Sequence, residues 1–448
     1  MYQDRNWKDQ PVSVLGLARS GLAAANWLAA RGARVLVSDP KKAAELPVDK
    51  LHPSVELHPE GNFVREGDLV VISPGIKPSS AAWALAHAKG SEVISDIELF
   101  ARLCPCPIAA VTGTDGKSTT VTLLHHLVEA WGRKAVLAGN IGFAVMDKLD
   151  ELDANSVAVL EISCFQLTHT PSIKPKVSVF TNIAEDHVEY HGSMAAYIEA
   201  KKILMQNQGP GDSVVINADD QELLSWQMPA GVQRRLYGTT RPWVTAGRCW
   251  VEGNAIWLDE GPGPEKLVGA EELQIIGGHN LMNAMSAAQG ALSLGVDRET
   301  LRRGLRSFSG LEHRMEFVRE LDGVRWYNDS KATNPHAAGA VLEALEGGLI
   351  VIAGGSEKGS DFGDLGRLIA ARTKAAVLNG GTAQRIADAI PAGHPVHLVP
   401  TLGEAILKAR ELARPGDLVV LAPACASFDQ FKDFEHRGRV FKDLVRAL

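Results

Sequence analysis

Short, nearly uninterrupted apolar runs recur along the chain, at residues 12–15, 34–38, 68–72, 108–111, 134–138, 157–160, 177–181, 349–353 and 417–421. Runs of this length without polar alternation predict strands covered on both faces, which is the signature of parallel sheet flanked by helices. Helical periodicity fills several of the intervals. An alanine-rich stretch follows residue 21; Val121, Leu124, Leu127 and Val128 share one face after residue 117; Tyr197, Lys201 and Leu204 share a face within 195–205. Residues 231–275 differ: short alternating runs, such as Cys249-Trp-Val and Ala255-Ile-Trp-Leu258, are split by glycines and predict hairpins appended to a sheet. The pattern as a whole is that of an α/β protein.

A length of 448 residues suits about three domains, each large enough for its own core. Boundaries are expected near residue 96 and near Gly310, giving domains at 1–95, 96–310 and 311–448. The expected architecture is a Rossmann-like N-terminal domain, a central P-loop ATPase-like domain and a Rossmann-like C-terminal domain. The net charge of −7 excludes a general affinity for nucleic acid or anionic membrane, so anionic ligands need local sites. The polar start, Met1 to Gln10, does not resemble a signal peptide, and no apolar run is long enough to span a membrane. Five scattered cysteines suggest reduced thiols and a cytoplasmic setting. Cys104-Pro-Cys106 has no second Cys pair to complete a metal site and reads as unligated thiols.

The densest chemistry lies in Ile108-Ala-Ala-Val-Thr-Gly-Thr-Asp-Gly-Lys-Ser-Thr-Thr120. A strand meets a glycine turn and then a helix whose first residues are Lys117, Ser118 and Thr119. This arrangement delivers a phosphate to a helix N-terminus: Gly113 to Gly116 offer backbone N–H groups, Lys117 reaches outer phosphates and Ser118 suits Mg²⁺. Val111 stands where the longer P-loop pattern has its first glycine. Glu161, at the carboxyl end of the run 157–160, is placed for Mg²⁺, or for water alone. Gly16-Leu-Ala-Arg-Ser-Gly21 is an incomplete dinucleotide fingerprint with Ala18 at its second glycine. With Asp39 ending the next strand, it suits a phosphate-facing turn or a plain βαβ unit equally. Ser73-Pro-Gly75 forces a turn at another strand's carboxyl end. Asn182 to Gly192 mixes carboxylates with His187 and His191, without the His-Glu-x-x-His pattern of a helical zinc pair. Asp329-Ser-Lys-Ala-Thr333 sits at a further strand-to-helix junction.

Thr112-Gly-Thr-Asp-Gly-Lys-Ser118 resembles the short P-loop of the Mur ligases, ATP-dependent amide-forming enzymes of peptidoglycan precursor synthesis, which usually carry Asn where Asp115 stands. Ser73-Pro-Gly75, Ser95-Asp-Ile-Glu-Leu-Phe100, Gly139-Asn-Ile-Gly142, Gly310 to Glu316 and, above all, Pro423-Ala-Cys-Ala-Ser-Phe-Asp-Gln-Phe431 are similar to the members of that family that add D-glutamate. The resemblance runs from about residue 12 to the end. It implies ATP, two Mg²⁺ ions, and the substrates UDP-N-acetylmuramoyl-L-alanine and D-glutamate, in a monomer. For ATP it implies Gly113, Thr114, Asp115, Gly116, Lys117, Ser118, Thr119, Asn280, Arg314, Asp329 and Lys331. For the UDP substrate it implies Arg19, Ser20, Asp39, Gly75, Asn140 and Ser163. For D-glutamate it implies Thr333, Lys358, Ser427 and Phe434. Catalysis and metal binding would fall to Lys117, Ser118, Glu161, His187 and Lys201, with Lys201 carbamylated by CO₂. Asp115 and Ser356 depart from the family's usual Asn and Asp.

Two rivals make different demands. A folylpolyglutamate synthetase would need no UDP site in residues 1–95. A GTPase switch is expected to show Asn-Lys-x-Asp, and no Asn-Lys pair occurs.

Overall fold

The structure is a computed structural model, describing residues 6–448 apart from Lys89, His187, Thr245, Ile276, Glu357 and Lys358, and apart from the side chain of Val188. The chain divides into two compact units, Met1–Glu272 with Leu281–Arg306, and Leu273–Asn280 with Ser307–Leu448.

The first unit holds two sheets. One contains β1 (Pro11–Leu15), β2 (Arg34–Asp39), β3 (Glu56–Pro59), β4 (Leu69–Ile72) and β5 (Val93–Ser95), all parallel in the order β3-β2-β1-β4-β5. Val12, Val14, Val35, Val37 and Val71 join Ala24, Ala25 and Leu28 of the helix Arg19–Ala29 in one core. That is why these strands read as continuous apolar runs. Strand order reverses between β1 and β4, whose last residues Leu15 and Ile72 lie side by side. Their two following turns therefore open on the same edge, where ligands of doubly wound sheets bind.

The other sheet has nine strands: β6 (Ile108–Thr112), β7 (Ala135–Gly139), β8 (Val157–Glu161), β9 (Val177–Phe180), β10 (Ser213–Asn217), β11 (Gln233–Gly238), β12 (Arg248–Glu252), β13 (Ala255–Asp259) and β14 (Glu265–Gly269). The order is β14-β13-β12-β11-β10-β9-β6-β8-β7. Only β12, β13 and β14 form the expected antiparallel hairpins. β11 instead extends the parallel part, pairing parallel with both β10 and β12. The helix Gln221–Ser225 between β10 and β11 lets the chain return in the same direction, which a tight turn would forbid. β6 lies centrally, with β8 on one side and β9 on the other, so the carboxyl ends of all three converge on the loop after Thr112.

The second unit contains β15 (Glu316–Leu321), β16 (Val324–Asn328), β17 (Leu349–Ala353), β18 (Ala375–Leu378), β19 (Val396–Leu398) and β20 (Leu418–Leu421), in the order β15-β16-β20-β17-β18-β19. β15 is antiparallel to β16 and the rest are parallel. Alternate residues face two cores. Trp326, Ile350, Ile352 and Val419 pack with Phe441 and Val445, while Tyr327, Val351 and Val420 pack with Val341, Leu342 and Ile369. The last strand inserts between β16 and β17, bringing Asn328, Ile352 and Leu421 into one register. No helix among the described residues is long and apolar enough to cross a membrane.

Candidate active site

β6 ends in the glycine turn, and the helix Lys117–Ala130 starts directly after Gly116. Gly113 has φ +148° and Gly116 φ +77°, both in the region that favours glycine. Space excludes larger residues as well: a Cβ on Gly113 would lie 1.9 Å from Thr181 Oγ1, and one on Gly116 2.3 Å from Asn283 Oδ1. The loop is braced from β9. Thr114 N–H donates to Asn182 O at 3.0 Å, Asp115 N–H to Asn182 Oδ1 at 2.9 Å, and Thr181 Oγ1 to Asp115 O at 2.6 Å. Thr114 Oγ1 lies 2.8 Å from the Tyr197 hydroxyl. The Asp115 residue itself is exposed. Ser118 and Thr119 are half-buried in the first helical turn.

Two ammonium groups meet at one carbonyl. Lys117 Nζ donates to Gly113 O at 3.0 Å and to Thr114 O at 2.6 Å. Lys201 Nζ donates to the same Gly113 O at 2.8 Å and sits 4.5 Å from the centre of the Tyr197 ring. The helix Met194–Gln206 carries Tyr197, Lys201 and Leu204 on its buried face, as the periodicity predicted, and Lys201 is only 1% exposed. Desolvation pushes the Lys201 ammonium down to about 8, and the nearby Lys117 charge pushes the same way. Lys202 faces elsewhere and pairs with Glu199.

Glu161 closes β8 and is 1% exposed. Its Oε1 accepts from Asn140 Nδ2 at 2.6 Å, whereas Oε2 is buried with no hydrogen-bond partner. A buried carboxylate oxygen left unpaired costs free energy unless a cation or donor meets it. Glu161 ends the strand next to β6, and this oxygen is a hard donor of the kind Mg²⁺ takes, as is the Ser118 hydroxyl in the first turn of the helix after the glycine turn. His187, the remaining expected metal residue, lies outside the described residues.

The turns of the N-terminal sheet face this region within the same unit. Ser73 Oγ donates to Gly16 O at 2.9 Å, joining the two turns at the strand reversal. Gly75 is exposed. Asp39 is buried and organises backbone: its carboxylate accepts from Leu17 N–H at 2.8 Å and Lys41 N–H at 2.9 Å. Arg19 is held by carbonyls of the 139–142 turn, Gly139 O at 3.0 Å and Gly142 O at 2.9 Å. Ser20 hydrogen-bonds Asp96, whose burial pushes its carboxyl up to about 6. Ser163 caps the helix Cys164–Leu167. Asn280 is buried in the first turn of the helix Gly278–Leu294.

In the second unit, Asp329, Lys331 and Thr333 follow β16, and Ser427 follows β20. Asp329 is 7% exposed, and desolvation pushes its carboxyl up to about 7 against the pull of Arg314. Lys331 Nζ lies 4.0 Å from the centre of the Phe434 ring. Ser427 is buried and Thr333 half-buried. Lys358 lies outside the described residues. Sequence reasoning gave Arg437 no role, yet it ties this site together. Its buried guanidinium donates to Ser330 Oγ and Ser330 O, both at 2.9 Å, and to Cys425 O at 3.1 Å. Arg437 thus locks the strand end that carries Asp329 to the loop that carries Ser427. The available signal was its spacing, four residues before Phe441 and eight before Val445 on the buried helix face.

Comparison with known proteins agrees with this geometry. Three family models match in order: the Mur ligase MurD-like N-terminal domain over residues 10–95, the Mur ligase middle domain over 111–291, and the Mur ligase glutamate ligase domain over 313–425. The chain belongs to the Mur ligase family. It is 38% identical to the UDP-N-acetylmuramoylalanine--D-glutamate ligase of Pelotomaculum thermopropionicum, with 99% of each chain covered. It is 38% identical to the enzyme of the same name from Geotalea uraniireducens, with 98% of each covered. The crystal structure of the UDP-N-acetylmuramate-alanine ligase of Thermotoga maritima shares the fold, with TM-score 0.59 at 18% identity over 98% of this chain and 99% of that one.

Proposed function

We propose that this Mur ligase adds D-glutamate to UDP-N-acetylmuramoyl-L-alanine at the expense of ATP, in peptidoglycan precursor synthesis. The observation that carries the reading is full-length likeness to D-glutamate ligases, at 38% identity across all three domains. The residues supply the chemistry that such a reaction needs. A carboxylate resists amines at neutral pH because its leaving group would be oxide. Transfer of the γ-phosphoryl group of ATP to that carboxylate gives an acyl phosphate and ADP. The D-glutamate amine then adds to the acyl carbon, and the tetrahedral adduct collapses with loss of phosphate.

Phosphoryl transfer needs positioning and charge neutralisation more than covalent help. The N–H groups of Gly113, Gly116 and Lys117 and the Lys117 ammonium hold the phosphates, while the N–H groups of Thr114 and Asp115, which donate to Asn182, brace the short P-loop together with Thr181 and Tyr197. Mg²⁺ held by Ser118, Glu161 and His187 would neutralise charge on the transferring phosphoryl group. The rest of the reading assigns the UDP substrate to the turns of Arg19, Ser20, Asp39 and Gly75 with Asn140 and Ser163. It assigns D-glutamate to Thr333, Lys358, Ser427 and Phe434, and further nucleotide contacts to Asn280, Arg314, Asp329 and Lys331. Lys201 takes up CO₂ as a neutral amine, releasing one proton and becoming an anionic carbamate suited to a second Mg²⁺. We place the domain boundaries at 95/96 and 310/311 and take the working enzyme to be a cytoplasmic monomer.

Oxygen tracing tests the acyl phosphate. With ¹⁸O in the carboxylate of the UDP substrate, one labelled oxygen passes to inorganic phosphate for each amide formed. Phosphate without the label, its fourth oxygen taken from solvent, would replace the ligase reading with simple nucleotide hydrolysis.

A further inference from the structure

Cys104-Pro105-Cys106 lies where the helix Asp96–Leu103 ends and the chain leads into β6. Cys104 is the C-cap of that helix, its N–H donating to Phe100 O at 2.8 Å. The two Sγ atoms are 3.5 Å apart, already in van der Waals contact. Pro105 restricts the backbone between them, which limits how far the thiols can separate. Cys106 is partly exposed, and Leu103 and Pro105 line an open cavity of about 630 Å³ that also includes Trp7 and Trp27. None of the assigned chemistry uses either thiol, because the pair sits at the amino end of β6 and the P-loop at its carboxyl end.

We propose that Cys104 and Cys106 are a reactive dithiol that a peroxide closes, reversibly, to an intramolecular disulfide. The Cys104 thiolate attacks a peroxide oxygen, forming a sulfenic acid and releasing water or alcohol once the leaving oxygen is protonated. The Cys106 sulfur then attacks the Cys104 sulfur, forming the S–S bond and releasing water with the thiol proton. Two electrons pass from the sulfur pair to the peroxide, and the sulfurs close from contact to about 2.05 Å. A hydrogen bond from the Cys106 thiol holds Cys104 below the ordinary thiol value, and the same bond pushes Cys106 up. Burial pushes the Cys164 and Cys249 thiols up instead. Nucleophilicity depends on the thiolate, so oxidation selects the pair over those two cysteines.

The test treats the folded, full-length enzyme with equimolar hydrogen peroxide, then counts thiols in denaturant and maps alkylated peptides. The accessible thiols fall from the full five cysteines by two. Cys104 and Cys106 resist alkylation until a dithiol reductant is added, whereas Cys164, Cys249 and Cys425 alkylate fully. Cys106→Ser, whose hydroxyl can still donate to Cys104, traps a dimedone-reactive sulfenic acid at Cys104. Cys104→Ser leaves Cys106 unreactive at the same peroxide dose. Alkylation of both residues after peroxide, oxidation spread evenly over all five, or a bond to any other cysteine would overturn the proposal.

Discussion

Lys201 offers the sharpest quantitative consequence. Carbamylation requires the free amine. A lysine at its ordinary value near 10.5 is neutral in about one molecule in 3,000 at pH 7, and one at about 8 in roughly one in eleven. Burial, helped by the nearby Lys117 charge, therefore raises the reactive population about 300-fold, equivalent to about 3 kcal/mol of differential interaction. The perturbation is pH at fixed dissolved CO₂, and the assay is incorporation of ¹³C-labelled CO₂ followed by NMR and by chemical trapping with peptide mapping. The initial rate of uptake should rise about tenfold per pH unit up to pH 8 and level off above it, with one label per chain located on Lys201. Lys201→Ala should lose the label and ATP turnover together. Acetate or formate should restore part of the turnover, since a carboxylate can occupy the vacated metal position. A rate that keeps climbing past pH 10 would show that the amine titrates as an exposed lysine. Full turnover by unlabelled enzyme would remove the carbamate from the mechanism.

Lys117→Ala should reduce ATP turnover on the order of 100- to 1,000-fold, as loss of a charge-stabilising donor does, while circular dichroism stays unchanged because the side chain touches only the turn. Asp329 carries a linkage signature. Its folded pKa, about 7, is raised from 3.8, so the folded state holds a proton that the unfolded chain releases between these values. Its stabilising contribution is complete below about pH 4 and is lost as pH rises to 7, by up to about 4 kcal/mol. Asp329→Asn should abolish that part of the fall in denaturant midpoint, and an unchanged pH profile would reject the assignment. Ser427→Ala should raise the Michaelis constant for D-glutamate several-fold more than that for the UDP substrate, because a dicarboxylate depends on convergent donors; equal effects on both constants would count against the role.

The features that were legible in the sequence are those written locally. The apolar run of β6, the glycines at 113 and 116 and the helical face of Tyr197, Lys201 and Leu204 are set by neighbours a few residues away, and each was found where expected. Glu161 was legible as a strand end, but its unpaired buried oxygen was not, because that depends on how β7 and β8 bring Asn140 against it. Long-range partners left little trace. Asn283 fits against Gly116 across a large sequence separation, and Arg437 joins residues 330 and 425 through its guanidinium fork. β11 was misread because alternation reports one buried face, not strand direction. For Arg19 and Asp39, resemblance implies substrate contacts, and what the sequence did not reveal is that their side chains also hold backbone of Leu17 and of the 139–142 turn.

The most direct test of the central claim is product formation by the purified enzyme with ATP, Mg²⁺ and UDP-N-acetylmuramoyl-L-alanine across a panel of amino acids, read by mass spectrometry of the UDP species. The panel holds D-glutamate, L-glutamate, L-alanine, L-lysine and meso-diaminopimelate. The account predicts a single new UDP product, heavier by one glutamate residue, with D-glutamate alone and with one ADP released per product. A product with any other amino acid and none with D-glutamate, or ADP release independent of the amino acid, would contradict it.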